Sequence, residues 1–151
     1  MLNINLIYYL IAGGIFGALA LKMMREEGLD NIFQRHNKHK LAMSNAVKAL
    51  NLKLFADEKY LSPSITAIKT EGIDAEEFRK AIKNNFDILL AGGQDHLKGK
   101  IFRVGHLGYV NDRDIITVVS AISNTLLNLG KITSQQAGEA LVVASKYLEG
   151  N

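Results

Sequence analysis

Apolar residues form one long segment at the start of the chain and a helical repeat after it. Leu6 to Met24 is almost wholly apolar, and no charged side chain precedes Lys22. Gly28 then interrupts the helical pattern, and Asp30 is placed to cap a second helix. The apolar stripe predicted for that helix, at three- and four-residue spacing, consists of Ile32, Phe33, Met43, Val47 and Leu50.

Short alternating or β-branched runs predict four strands in the middle of the chain. They are Leu52 to Ala56, Ile65 to Ile68, Phe86 to Leu90 and Ile101 to Val104. A helix is predicted between the second and third strands, because Asp74 is followed three residues later by Glu77 in a capping-box pattern.

Two further helices are predicted after the last strand. Asn111 or Asp112 caps the first, which ends with Gly130 in the C′ position, and Thr133 begins the second. The order of elements is then helix, helix, strand, strand, helix, strand, strand, helix, helix. Some strands are joined by short connections and others through a helix. This combination implies a mixed or antiparallel sheet with helices on one side. The sequence therefore predicts an α+β two-layer sandwich with a small, mostly antiparallel sheet.

The composition fits a folded domain in a reducing compartment. A chain of 151 residues with 48% hydrophobic residues can bury a core. It has no cysteine, which removes disulfides, thiolate metal sites and cysteine nucleophiles, and we expect a cytoplasmic protein. The net charge is +3, and the basic residues are scattered along the chain apart from a basic stretch at residues 35–40. We interpret that stretch as a solvated helix face and expect no nucleic-acid partner.

The apolar first segment has two interpretations. It is long enough to cross a bilayer, with Lys22 and Arg25 on the cytoplasmic side. A cleaved signal peptide fits less well, since no basic residue precedes the apolar run. We favour a helix buried between domains or subunits, where Gly13 and Gly14 allow close approach of another backbone. The predicted division is an apolar linking helix at residues 1–28 and a folded domain at residues 29–151.

Arg103 is the leading candidate for a functional residue. On a strand of alternating faces it shares a side with Ile101 and Gly105, while Phe102 and Val104 point the other way. A guanidinium offers two parallel N–H donors that match a carboxylate. A salt bridge to a carboxylate of the chain itself, or exposure at a sheet edge, explains the pattern equally well. His36, His39 and His106 show no metal-ligand spacing, so no metal site is predicted.

The surroundings of Arg103 carry a family resemblance. Gly92 and Gly93 precede the Lys-Gly-Lys at 98–100, the arginine strand, and the Gly-His-x-Gly turn at 105–108. This segment resembles the signature of class V aminotransferases of the alanine–glyoxylate and serine–pyruvate type. Residues 26–36, 62–67 and 72–74 also resemble that family, and the match extends roughly from Ala20 to Gly130.

The resemblance implies the C-terminal small domain of a dimeric enzyme that binds pyridoxal phosphate on a lysine. It places on Arg103 the arginine that binds the α-carboxylate of a small amino acid or 2-oxo acid. It also implies that the preceding apolar helix is an interdomain helix. The residues expected to border this site are Gly92, Gly93, Gln94, Gly105 and His106.

The departures from the family are equally informative. No lysine of this chain matches the family's Schiff-base motif, and Met1 to Ile4 stands where the family has a Thr-Pro. We therefore expect no catalytic and no cofactor-binding residue here, and no bound cofactor or activity without a large domain. Two alternatives stay open: a non-catalytic binding or assembly module, and a membrane-anchored version of the domain. Self-association, or a partner chain that supplies the large domain, is expected.

Overall fold

The computed structural model describes residues 4–149, and its elements follow the predicted order. The helices are α1 (Ile4–Glu27), α2 (Leu29–Ala49), α3 (Ala75–Phe86), α4 (Asp112–Asn128) and α5 (Ser134–Glu149). The strands are β1 (Lys53–Leu54), β2 (Ile65–Lys69), β3 (Ala91–Gly92) and β4 (Ile101–Gly105). Short 3-10 helices lie at Glu58–Tyr60 and Asp95–Leu97. The chain divides into two compact units, of which one ends at Arg35 and the other begins at His36.

The four strands form one antiparallel sheet in the order β1-β2-β4-β3. This confirms an α+β fold with a small antiparallel sheet. In the register, Arg103 of β4 lies between Ala67 of β2 and Ala91 of β3. Arg103 therefore stands in an inner strand and is not an edge residue.

The hydrophobic core lies on one face of the sheet. Ile68, Phe102 and Val104 point into it, together with the buried Thr66. The rings of Phe78 from α3 and Phe102 lie 5.0 Å apart between centroids, a distance typical of favourable aromatic pairs. α2, α4 and α5 contribute the other core side chains, among them Met43, Val47, Ile115, Ile122, Leu126 and Ala144. Because side chains alternate along a strand, Arg103 points to the opposite face.

Two polar residues predicted to start helices, Asp74 and Asn111, do so. The Asp74 carboxylate accepts from the N–H groups of Glu76 and Glu77. Of the two candidates for the start of α4, Asn111 is the N-cap, in a reciprocal capping box with Asp114. These bonds satisfy backbone donors that a helix leaves unpaired. Gly130 follows α4 with a φ of 64°, as expected for the C′ position.

Several details of the sequence prediction are wrong. Phe86 to Leu90 is not a strand, because α3 runs to Phe86 and Asp87 ends it in the left-handed conformation. The third strand comes later, at Ala91–Gly92. Asp30 lies inside the first turn of α2, which begins at Leu29. Phe33 is not part of a buried stripe, since 64% of its surface is exposed.

The first helix is separate from α2 in its backbone path. Gly28 lies between the two helices with a φ of 84°. Within the unit that ends at Arg35, the Arg35 Nε donates to Glu27 Oε1 at 2.6 Å. Most large apolar side chains described in α1 are exposed, including Ile11, Ile15 and Phe16. The side chains of Leu6 and Ile7, also expected in this surface, lie outside the described residues. No helix in the described part of the chain is long and apolar enough to span a bilayer.

Candidate functional site

The Arg103 guanidinium is anchored through only one of its nitrogens. Its Nε donates to the carbonyl oxygen of Gly92 at 3.0 Å, and the residue is half-buried. Within residues 4–149 no carboxylate lies within salt-bridge distance of this arginine, and its two terminal nitrogens make no hydrogen bond there. A guanidinium has five N–H donors, so the terminal pair is left for a planar anion.

The glycine pair before this arginine is closely packed. A Cβ on Gly92 would lie 2.6 Å from Nη1 of Arg79 and 2.8 Å from Oε1 of Glu76. A Cβ on Gly93 would lie 2.1 Å from the carbonyl oxygen of Leu97. The Leu97 atom belongs to the backbone, so only glycine fits at residue 93, whereas a Cβ at residue 92 would require the side-chain ends of Arg79 and Glu76 to move. Gly105, by contrast, has no atom within 4 Å of such a Cβ.

Arg79 of α3 joins the helix to the segment that enters β3. Its Nε donates to the carbonyl oxygen of Leu90 at 2.7 Å, and its Nη1 donates to Glu76 Oε2 at 2.8 Å. Both side chains are half-buried. The ion pair therefore packs directly over the Cα of Gly92.

The remaining residues expected to border the site lie on either side of β4. Gln94 is exposed and precedes the 3-10 helix at Asp95–Leu97. Gly105 is exposed at the end of β4 and lines a groove of about 220 Å³ with Ile88 and Val110. Gly92, Gly93 and Gln94 thus lie near the start of β4, and Gly105 lies at its end.

His106 is fully buried, with 0% of its surface exposed. Its backbone N–H donates to the carbonyl oxygen of Ser64 at 2.8 Å, and its Nε2 lies 2.9 Å from Thr66 Oγ1. Burial, and then the nearby His39, lower the pKa of His106 from 6.5 to about 4. The ring is therefore neutral at pH 7 and ties the Gly-His-x-Gly turn to β2.

A second polar cluster joins the start of α4 to α2. Asp112 Oδ1 lies 2.9 Å from His39 Nε2, and its Oδ2 accepts from Lys38 Nζ at 2.8 Å. Burial raises the pKa of Asp112, and the bonds from Lys38 and His39 lower it, so that it lies below its usual value. Among the residues described, no group of three or more His, Cys, Asp or Glu is arranged to hold a metal ion.

Known proteins resemble this chain over most of its length. The (S)-ureidoglycine–glyoxylate transaminase of Bacillus subtilis is 32% identical over 131 residues, which are 85% of this chain and 31% of that protein. The crystal structure of a pyridoxamine–pyruvate aminotransferase from Mesorhizobium loti matches 87% of this chain and 34% of that one, with a TM-score of 0.80 and 25% identity. The homologues of this chain are class V aminotransferases. No family model matches it.

Another relative bears a different kind of name. The small subunit of a soluble hydrogenase from Synechococcus is 52% identical over 129 residues, which are 85% of this chain and 33% of that protein. The chain thus spans about a third of the length of the curated relatives it matches. This share is consistent with the C-terminal small domain of a class V aminotransferase.

The residues present do not fit pyridoxal phosphate by themselves. Full-length class V aminotransferases hold this cofactor on a lysine, in a site that orients it and excludes competing reactions. None of the lysines in the described part of this chain is buried. We therefore assign no cofactor-binding residue to these positions.

Sequence reasoning missed several partners of the predicted residues. Arg79 and Glu76 stand three residues apart, the spacing of neighbours on a helix, so their ion pair could have been predicted from the sequence. Their contact with Leu90 and Gly92 was not, because it depends on where β3 begins. Nor did any local pattern connect Thr66 with His106, which are 40 residues apart.

Proposed function

We propose that this chain is the small domain of a pyridoxal-phosphate-dependent transaminase that acts on small amino acids and 2-oxo acids. In this proposal Arg103 binds the α-carboxylate of the substrate. The observation that carries the assignment is the anchored guanidinium, with its Nε bonded to Gly92 and no carboxylate partner among residues 4–149.

The geometry supports carboxylate binding for physical reasons. Arg103 is on an inner strand of the sheet, so its backbone moves little, and one hydrogen bond already restricts the side chain. Less rotamer entropy is then lost when a ligand binds. A bidentate contact would fix the orientation of the substrate, and positioning of this kind accelerates the reaction of a bound substrate.

The cofactor and its lysine would come from a large domain, as in full-length relatives. Pyridoxal phosphate supplies the electron sink for the chemistry when it is bound. Residues 4–149 would supply the carboxylate-binding arginine and the glycine-lined turn before it, and α1 would be the interdomain helix. We expect the chain alone to be inactive, and the complete cytoplasmic enzyme to be a homo-oligomer.

The test is a hybrid enzyme. The matched 131 residues of this chain replace the corresponding third of the Bacillus subtilis transaminase, and Arg103→Lys is compared with the unchanged hybrid. We expect a higher KM for the amino acid and a lower kcat, because an ammonium cannot reproduce the planar fork. A hybrid that is active and unaffected by Arg103→Lys would refute the role.

Should the hybrid not fold, the unmodified chain provides a second measurement. In the ¹⁵N-labelled chain, glyoxylate or alanine should shift the Arg103 side-chain resonances and leave those of the exposed Arg113 unchanged. Equal shifts for both arginines would indicate only unspecific ion binding and would contradict the proposal.

A second candidate function is an assembly module that has lost catalysis. The observation in its favour is the apolar surface of α1, where Ile11, Ile15 and Phe16 are exposed. Exposed apolar patches mark interaction sites or aggregation. Sedimentation of the whole chain tests this function, because a monomer at all concentrations would leave it without a driving force.

The hydrogenase name of the Synechococcus relative gives no second candidate of its own. This chain, which matches a third of that protein, has no cysteine and therefore supplies no thiolate ligand for an iron–sulfur cluster. No observation on residues 4–149 favours that function over transamination.

A further inference from the structure

The carbonyl group that anchors Arg103 belongs to a strand with few backbone bonds. β3 consists of Ala91 and Gly92, lies at the edge of the sheet and pairs with β4 alone. Beyond it, the Gly93 N–H donates to the Ile101 carbonyl oxygen at 3.2 Å. Segments with so few contacts open locally at low free-energy cost. The anchor of Arg103 therefore needs support from outside the sheet.

α3 supplies that support through Arg79. One planar guanidinium donates both to the Leu90 carbonyl oxygen, directly before β3, and to the Glu76 carboxylate. The same group lies over Gly92, where a Cβ would come within 2.6 Å of Nη1. A guanidinium is suited to this task, because its donors are held in a rigid fork.

The register of β3 and β4 explains how Arg79, on the helix side of the sheet, can influence Arg103 on the opposite face. Gly92 pairs with Phe102, whose ring points into the core with Phe78 of α3, and Ala91 pairs with Arg103. The absent side chain of Gly92 thus leaves room for Arg79 on the core side. The carbonyl oxygen of the same glycine accepts the Arg103 Nε–H at 3.0 Å.

We propose that Arg79 is a positioning residue for Arg103. Together with Glu76 it fixes β3, so that the Gly92 carbonyl holds the Arg103 guanidinium in the orientation that receives the substrate carboxylate. This role rests on the proposed function of Arg103. The contact between Arg79 and Gly92 carries the inference, because it links the two arginines through a single residue.

The test measures the hydrogen bond from the Arg103 Nε–H to the Gly92 carbonyl oxygen, in the whole chain and without substrate. Hydrogen exchange of the Arg103 Nε–H is followed by NMR in the ¹⁵N-labelled protein, unchanged and with Arg79→Gln. We expect exchange to be roughly tenfold faster in the variant, the factor given by loss of one hydrogen bond of ordinary strength. Lys80→Gln, on the same helix and with the same change of charge, is the control and should leave exchange unchanged. Unaltered exchange in a folded Arg79→Gln variant would overturn the proposal.

A second variant covers the case in which Arg79→Gln does not fold. Arg79→Lys keeps the charge beside Glu76 but lacks the planar fork that also reaches Leu90. Faster exchange of the Arg103 Nε–H is again expected. Native-like exchange in this variant would reject the positioning role, because charge alone would then be sufficient.

Kinetics of the hybrid enzyme separate this role from the function of Arg103. Arg79→Gln should raise the KM for the amino acid, and Lys80→Gln should not. If Arg103→Lys leaves KM unchanged, the proposed function fails while the exchange result stands. If Arg103→Lys raises KM but Arg79→Gln leaves the exchange of Arg103 unchanged, only the positioning role fails.

Discussion

Gly93 packs so closely against Leu97 that a Cβ at residue 93 would lie 2.1 Å from the Leu97 carbonyl oxygen. The oxygen belongs to the backbone and the position of a Cβ is fixed by the backbone, so no side-chain rotation relieves the overlap. The N–H of the same glycine also donates to the carbonyl oxygen of Ile101. The approach of this loop to β4 therefore depends on the absence of a side chain.

Gly93→Ala should destabilise the fold because the backbone at Leu97 must move. We expect a loss of about 2 kcal/mol or more in the free energy of unfolding, the range of strained backbone substitutions. Chemical denaturation measures it. Gly105→Ala is the matched control, since its Cβ meets no atom within 4 Å and should change stability little. Equal effects of the two substitutions would contradict the packing argument.

His106 predicts a pH dependence of stability. Its pKa is about 4 in the folded protein, against 6.5 for an ordinary histidine, so the unfolded chain binds a proton more readily. The stabilising contribution is complete above pH 6.5 and is lost as the pH falls towards 4, by roughly 3 kcal/mol in total. Denaturation between pH 7 and 4 should show a shallower decline for His106→Gln than for the unchanged protein.

The exposed His96 provides the control for this titration. His96→Gln should leave the slope of stability against pH unchanged. An identical slope in all three proteins would show that His106 does not take up a proton on unfolding in this range.

The sequence predicted those parts of the fold that depend on local physics. The cap at Asp74 and the stop at Gly130 follow from polar and glycine positions next to apolar periods, and both are confirmed. The strand predicted at Phe86 to Leu90 failed because a short apolar run does not distinguish the end of a helix from a strand. The local cause was Asp87, which adopts a left-handed conformation.

The candidate site was likewise predictable from the sequence only in part. Arg103 was found from its place in an alternating strand, and its face of the sheet follows from that pattern. Its anchor on Gly92 and the contact of Arg79 with that glycine are tertiary relationships. No local period encodes them, because they depend on the pairing of β3 with β4 and on the packing of α3.

Asp112 predicts a contribution to stability that depends on its charge. It accepts a hydrogen bond from Lys38 and lies beside His39, and its pKa is below the usual value. Asp112→Asn should lower the thermal midpoint at pH 7. The difference should fade as the pH falls below about 3.9, the ordinary aspartate value, and the carboxylate gains a proton in the folded state.

Glu139→Gln is the comparison for this effect, because Glu139 is exposed on α5. It should leave the midpoint unchanged at both pH values. A midpoint of Asp112→Asn that equals that of the unchanged protein at pH 7 would show that the bonds to α2 contribute nothing.

The apolar surface of α1 predicts self-association of the isolated chain. Ile11, Ile15 and Phe16 are all exposed, and burying one such side chain contributes about 1.5–3 kcal/mol. Replacing all three by serine should shift the sedimentation profile towards monomer at the same protein concentration. Val142→Ser is the control, because Val142 is an equally exposed apolar residue on α5. If that control disperses the assembly as well as the triple variant does, or if neither has any effect, α1 is not the surface that associates.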